Sequence, residues 1–199
     1  MSGTDDSRAC AEPDEQIVAR VLRGDVEPFS VLVSRYQRPV LALGLRFFRS
    51  REDAEDFVQE VFLQAYRKLN TFKQTGRFYS WLMRIAYNRG SRTLRRCRDF
   101  ESIGEFSPPD GDLTPDAMLE RREARDAVVS AIRKLPERFA DCIGLYYFFE
   151  LSYKEVSEVT GFALNTVRSH IRRAKFLLAR ELQDHAVYPA GPGGTYDMP

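Results

Sequence analysis

Residues 151–183, LSYKEVSEVTGFALNTVRSHIRRAKFLLARELQ, read as two short helices joined by a tight turn. Ser152-Tyr153-Lys154-Glu155 has capping-box form: the serine hydroxyl accepts from the third backbone N–H, and the glutamate reaches back to the first. Leu151 before the cap and Val156 after it are spaced as a hydrophobic staple. Gly161 stands where a left-handed residue stops a helix, and Asn165 is placed to cap the next. In that second helix Val167, Ile171, Ala174 and Leu178 share one face at helical spacing. The opposite face carries Asn165, Arg168, Ser169 and Arg172, flanked by Arg173 and Lys175, and no acid occurs from Leu164 through Arg180. A basic helix alone is more often just a solvated face. Here the capped first helix, the glycine turn and the acid-free second helix coincide in order, as in a helix-turn-helix whose second helix lies in a DNA major groove.

Working outward, the chain of 199 residues is 43% apolar and 30% charged, enough to bury a core in one domain or two small ones. Its net charge of +1 hides a segregation. Acids crowd the N-terminal tail and Glu52 to Glu60, while bases crowd Arg77 to Arg98 and the helix after Gly161, which suggests separate acidic and basic contact surfaces. No run approaches a membrane span, and MSGTDDSRACAEPDE has no apolar signal core, so a cytoplasmic protein with no membrane insertion is expected. Cys10, Cys97 and Cys142 are odd in number and far apart, without a CxxC or paired histidines near them, which argues against a metal site, a disulfide or a cofactor. His170 and His185 have no nucleophile or ligand partner in the sequence, so no catalytic residue and no enzyme activity are expected.

In chain order, residues 1–13 are polar and read as a tail. Glu15 to Leu22 forms a short amphipathic helix with Ile17, Val18, Val21 and Leu22 on one side. Gly24-Asp25 ends it, Asp25 is placed to cap the next helix, and Pro39 predicts a kink or break near Gln37. Ser50 opens a third helix with the stripe Phe57, Val58, Val61, Phe62, Ala65 and Leu69. Its acids Glu52, Asp53, Glu55 and Asp56 suit the helix dipole, about 0.3–1 kcal/mol each. Gln59 and Glu60 lie too far in for that, and an acidic docking face is the alternative. Residues 70–76 read as a loop. The helix 77–98 then offers Phe78, Trp81, Leu82, Ile85 and Ala86 to a core, and Arg77, Arg84, Arg89, Arg92, Arg95, Arg96 and Arg98 are unopposed by any acid. Aromatics interleaved with bases beside a loop suit single-stranded nucleic acid, where each ring–base stack is worth about 1–3 kcal/mol. Phe72 and Tyr79 are the favoured stacking rings, with Trp81 assigned to the core. Residues 99–114 read as an interdomain linker and 184–199 as a Gly/Pro-rich flexible tail. Thr114-Pro115 starts a helix carrying Leu119, Val128, Ile132 and Leu135. Pro136 opens another through Phe139, Ile143, Tyr146 and Phe149. The expected fold is all-α, with two small helical domains at 14–98 and 115–183.

DAEDFVQEVFLQAYR and FYSWLMRIAYN in the first module, with LPERFADCIGLYYFFELSYKEVSEVTGFALNTVRSHIRRAK in the second, resemble the extracytoplasmic-function sigma factors of bacterial RNA polymerase, within the sigma-70 superfamily. The resemblance spans about residues 14–183. It implies a region-2 helical bundle and a region-4 helix-turn-helix, joined by a linker that passes through the polymerase near the RNA exit path. It places Asp53, Asp56, Gln59 and Glu60 where region 2 docks on the beta-prime clamp helices. It places Phe72, Lys73, Arg77, Tyr79, Arg84 and Asn88 around the minus-ten element that is melted and captured. Asn165, Thr166, Arg168, Ser169, Arg172, Arg173 and Lys175 fall on the helix that reads the minus-thirty-five element. Core polymerase (beta-prime clamp helices and beta flap), promoter DNA and an anti-sigma factor are the implied partners. Arg92 departs from the pattern, where an acid is common, and Phe176 departs where a base is usual.

The mechanism so implied uses binding energy alone: duplex contacts select a site, and the higher affinity for an unstacked strand drives strand separation. The rivals are a repressor-type helix-turn-helix regulator, which would bind duplex DNA without polymerase, and an anti-sigma-like scaffold.

Overall fold

The structure is a computed structural model that describes residues 12–48, 50–73, 76–96 and 126–184. Cys10, Cys97, Arg98, the expected linker, the helix start at Thr114-Pro115, Leu119 and the two tails beyond these ranges lie outside the described residues. Every regular element among the described residues is helical. The chain divides into two compact units, Met1–Gly104 and Glu105–Pro199.

In the first unit α1 is Asp14–Leu22, α2 Phe29–Phe47, α3 Arg51–Arg67 and α4 Phe78–Arg96, with a single 3-10 turn at Leu69–Thr71. Ile17, Val18 and Val21 of α1 are buried, but Leu22 is 50% exposed, one position past the apolar side. Asp25 does not cap α2: its carboxylate takes Arg20 Nη2 at 2.8 Å, and α2 begins after Pro28 without a side-chain cap. Nor does Pro39 break α2, which runs through it. An interior proline costs about 3 kcal/mol. Leu32 before it and Val40, Leu43 and Phe47 after it are all buried as α2 packs on α3 and α4, each worth about 1.5–3 kcal/mol, and that burial outweighs the cost of the proline and keeps the helix continuous. Ser50 caps α3 as its sequence requires, Oγ accepting from Asp53 N at 2.9 Å, and Ala54, Phe57, Val61, Phe62 and Ala65 face inward.

Glycines set how closely these helices approach. A Cβ on Gly44 would stand 2.8 Å from Phe57 Cδ1, and one on Gly90 only 2.0 Å from Phe47 Cδ2. The Phe47 ring therefore occupies the place of a side chain on α4, wedged against Phe57 and Tyr87 at centroid distances of 6.3 and 6.0 Å.

In the second unit α5 covers residues 126–133, α6 Glu137–Tyr147, α7 Tyr153–Thr160 and α8 Leu164–Asp184. Phe139 and Ile143 of α6 and Ala174 of α8 form a core cluster, with Leu135, Leu177 and Leu178 packed on it. Ser152 and Glu155 close the capping box, and Leu151 and Val156 are both buried as a staple should be. Gly161 has φ +79°, the left-handed conformation the turn needs. Ser157 Oγ donates to Phe162 O at 2.6 Å and Thr160 Oγ1 accepts from Phe162 N at 3.3 Å, so the α7–α8 turn is held from both sides. Asn165 does not cap α8. The first helical bond runs from Val167 N to Ala163 O at 3.0 Å, which puts Asn165 inside the first turn.

Candidate nucleic-acid interface

On α8, Val167, Ile171 and Ala174 are buried while Asn165, Arg168, Arg172, Arg173 and Lys175 are exposed and Thr166 and Ser169 half-buried. Asn165, Ser169 and Arg172 lie along one stripe of the helix, and Arg168 Nη1 donates to Asn165 Oδ1 at 3.3 Å. Two residues behave differently from the expectation. Lys175 folds back over the Tyr147 ring, 5.3 Å from its centroid, and the hydrogen bond to Tyr147 raises its pKa. Phe176 is 69% exposed on the polar stripe of Asn165, Ser169 and Arg172, an apolar ring where the family usually has a base.

Behind the stripe, His170 is buried against α6. Its Nδ1 lies 3.7 Å from Cys142 Sγ, and the Phe139 and Phe162 rings each stand 5.1 Å away. Burial first, then the positive charges of Arg138 and Arg173, push its pKa down. Cys142 is a buried thiol of this core. Among the described residues no group of histidines, cysteines and acids is arranged to hold a metal.

On α4 the exposed residues Arg84 and Asn88 share a stripe with half-buried Trp81, and Arg92 continues it. Lys73 and Arg77, before the helix, are exposed as well. The structure sorts the aromatics differently from the sequence reading: Phe72 is buried, and Tyr79 and Trp81 are both half-buried. Phe72 is buried, only 7% exposed, edge-on to Phe78 at 5.6 Å and tilted against Trp81 at 5.6 Å. Tyr79 projects from the opposite side of α4, stacked on Tyr36 of α2 at 5.5 Å. The Tyr36 hydroxyl donates to the Asp14 carboxylate, and burial first, then that bond, push its pKa up to about 12. Periodicity alone assigned Trp81 to the core. Phe72, coming from the loop before α4, packs against Trp81, and the indole stays half-buried.

On α3, Asp53, Asp56, Gln59 and Glu60 are all exposed on the side away from Ala54, Phe57 and Val61. Glu60 reaches across to α4 and forms an ion pair with Arg89. That corrects the sequence reading, in which Arg89 had no acid to oppose it: the acid is on the neighbouring helix, 29 residues earlier.

Comparison with known proteins follows this division. Residues 32–99 match the Sigma-70 region 2 family and residues 125–176 the Sigma-70, region 4 family. The RNA polymerase sigma-H factor of Pseudomonas aeruginosa is 37% identical over 183 residues, covering 86% of this chain and 95% of that protein. The ECF RNA polymerase sigma-E factor of Escherichia coli K12 is 36% identical over 190 residues, covering 88% and 95%. Among solved structures, CnrH in complex with the cytosolic domain of CnrY matches with a TM-score of 0.61 and 26% identity over 87% of this chain and 98% of that one. RpoE of Bartonella quintana, solved with the anti-sigma factor NepR, shares the fold at a TM-score of 0.55 and 20% identity over 78% and 96%. A stripe of exposed bases on a glycine-set helix-turn-helix, a second basic stripe beside a half-buried indole, and relatives of this identity along almost their whole length lead to one assignment: the chain belongs to the extracytoplasmic-function sigma factors of the sigma-70 family, which initiate transcription without being enzymes.

Proposed function

We propose that this sigma factor joins core RNA polymerase through the exposed α3 residues Asp53, Asp56, Gln59 and Glu60, reads duplex promoter DNA with α8, and captures the melted strand along α4. The observation that carries the reading is charge sorted by face: acids on the outer side of α3, bases on the outer sides of α4 and α8. Each module has its own task. Phosphate contacts from Arg168, Arg172 and Arg173 hold the duplex, and a bidentate arginine–guanine contact discriminates by about 1–3 kcal/mol. Asn165, Thr166 and Ser169 are the remaining base-edge candidates, with Lys175 a lesser cation because Tyr147 already holds it.

Strand separation is driven by differential affinity. Extruding a base costs a few kcal/mol, and stacking on an aromatic ring returns about 1–3 kcal/mol per base. Trp81, on the stripe of Arg84 and Asn88, is the ring placed for this, with Phe72 supporting it from beneath. Lys73 and Arg77 extend the phosphate path toward the loop. Tyr79, on the other side of α4, acts through the α2–α4 packing. The two domains at 14–98 and 115–183, with 99–114 as linker, are set at promoter spacing by the beta-prime clamp helices and the beta flap. Free in solution the protein binds promoters weakly.

The protein works in the cytoplasm with its polymerase, and no described helix is long and apolar enough to cross a membrane. An anti-sigma factor is the expected regulator, in keeping with the protein partner seen with CnrH. Co-purification with core polymerase and transcription from a fork-junction template test the reading. Failure to bind core rejects it, and polymerase-independent operator binding would establish the repressor alternative.

A further inference from the structure

We propose that Arg89 is a strand-phosphate contact that Glu60 masks in the free chain and releases when core polymerase engages the α3 face. The inference rests on the docking and strand-capture roles proposed above. Its starting point is an ion pair that joins the two faces: Arg89 Nη2 on α4 bound to Glu60 Oε2 on α3. Arg89 stands one helical turn before Arg92, the residue that continues the Trp81–Arg84–Asn88 stripe, so its long side chain starts within reach of that stripe's edge. Only the direction of its side chain, drawn toward α3, keeps its charge off the strand path.

Both side chains reach solvent, Arg89 36% and Glu60 55% exposed. A pair so exposed is weak, because water and salt compete at both ends. A basic partner residue arriving at Glu60 can therefore displace Arg89 at little cost, whereas a buried pair would resist. The released guanidinium then adds a cation where phosphates pass, one turn from exposed Arg92. The free chain meanwhile carries, at the same point, an arginine whose charge the ion pair neutralises. One contact thereby links two events: docking on one helix raises strand affinity on the next.

The test uses the full-length chain, alone and as holoenzyme. Fluorescein-labelled oligothymidylate, which reports the phosphate term without sequence, is titrated against the free chain at several salt concentrations. Glu60→Ala should bind about threefold tighter, an exposed pair allowing a gain of only a few-fold. Its log–log salt slope should steepen by about 0.7, one added phosphate contact on a single strand. Arg89→Ala should match wild type, and the double variant should match Arg89→Ala. In holoenzyme, on a fork-junction DNA selected from a randomised pool, Arg89→Ala should bind about threefold weaker with a slope shallower by about 0.7. A Glu60→Ala gain that survives in the double variant would be a general charge effect and would overturn the mask, as would no gain at all. An Arg89→Ala holoenzyme equal to wild type overturns the strand contact. If Glu60→Ala binds core as tightly as wild type, the docking role of Glu60 fails and the release step with it, while the free-chain titrations still judge the mask separately.

Discussion

Replacing Gly90 by alanine sets two effects of opposite sign against each other, and the geometry selects the winner. Gly90 is interior to α4, where alanine is the better helix former by about 0.8–1.0 kcal/mol. Propensity alone thus predicts a more stable protein. The new methyl, however, would lie 2.0 Å from Phe47 Cδ2, 2.3 Å from Cε2 and 2.6 Å from Cγ. Ordinary carbon contacts fall at about 3.5–4.0 Å, so ring and helix must separate by about 1.5 Å. Phe47 has nowhere to go, being 7% exposed and held between Phe57 and Tyr87. Overpacking of this kind costs about 1–3 kcal/mol, and expelling the ring instead forfeits about 1.5–3 kcal/mol of burial. The net expectation is a loss of about 1–2 kcal/mol, or a fall of about 5–15 °C in the melting temperature of a unit this size. The single tryptophan of the chain, Trp81, lies in this unit, so its fluorescence in urea reports the first unit alone. Adding Gly90→Ala to a Phe47→Leu background should be neutral or stabilising. A raised midpoint for Gly90→Ala by itself would refute the close approach of α2 and α4.

Ser152→Ala removes the hydroxyl that accepts from Glu155 N at 3.3 Å and should cost about 0.5–2 kcal/mol of second-unit stability, read by far-UV circular dichroism, with duplex affinity falling in step. Arg172→Ala should weaken duplex binding and lower the salt slope by about 0.9 if its contact is to phosphate. Lys175→Ala should lose less, because Tyr147 already engages the ammonium; equal losses would show that the lysine swings free of Tyr147 on DNA. The pKa of His170 is lowered from 6.5 in the folded state, so the unfolded chain binds the proton more readily. The stability this contributes is present above pH 6.5 and is lost as pH falls below it toward the depressed folded value. His170→Gln should flatten that dependence in urea midpoints measured between pH 5 and 8, and an unchanged slope would mean that His170 does not titrate on unfolding.

Much of the helix-turn-helix was legible because its signals are local. The Ser152–Glu155 box, the Leu151–Val156 staple and the left-handed Gly161 each depend on residues within five positions of one another, and all three stand in the structure. Errors arose where a local rule met a stronger competitor. Asp25 suits a cap by type, but Arg20 takes its carboxylate. Pro39 should bend a helix, but α2 is clamped on both sides of it. Asn165 suits a cap as well, yet the turn set by Ser157 and Thr160 starts α8 at Ala163, two residues earlier.

What the residues settle by themselves is the inventory: which stretches are helical, which faces are apolar, and where bases gather without acids. Helical periodicity and capping are short-range, so a linear reading contains them. Which aromatic is buried, Phe72 rather than Trp81, and which acid answers Arg89 were decided only in three dimensions. Both depend on residues that the tertiary fold brings against α4, Phe72 from the preceding loop and Glu60 from α3, which no linear spacing contains.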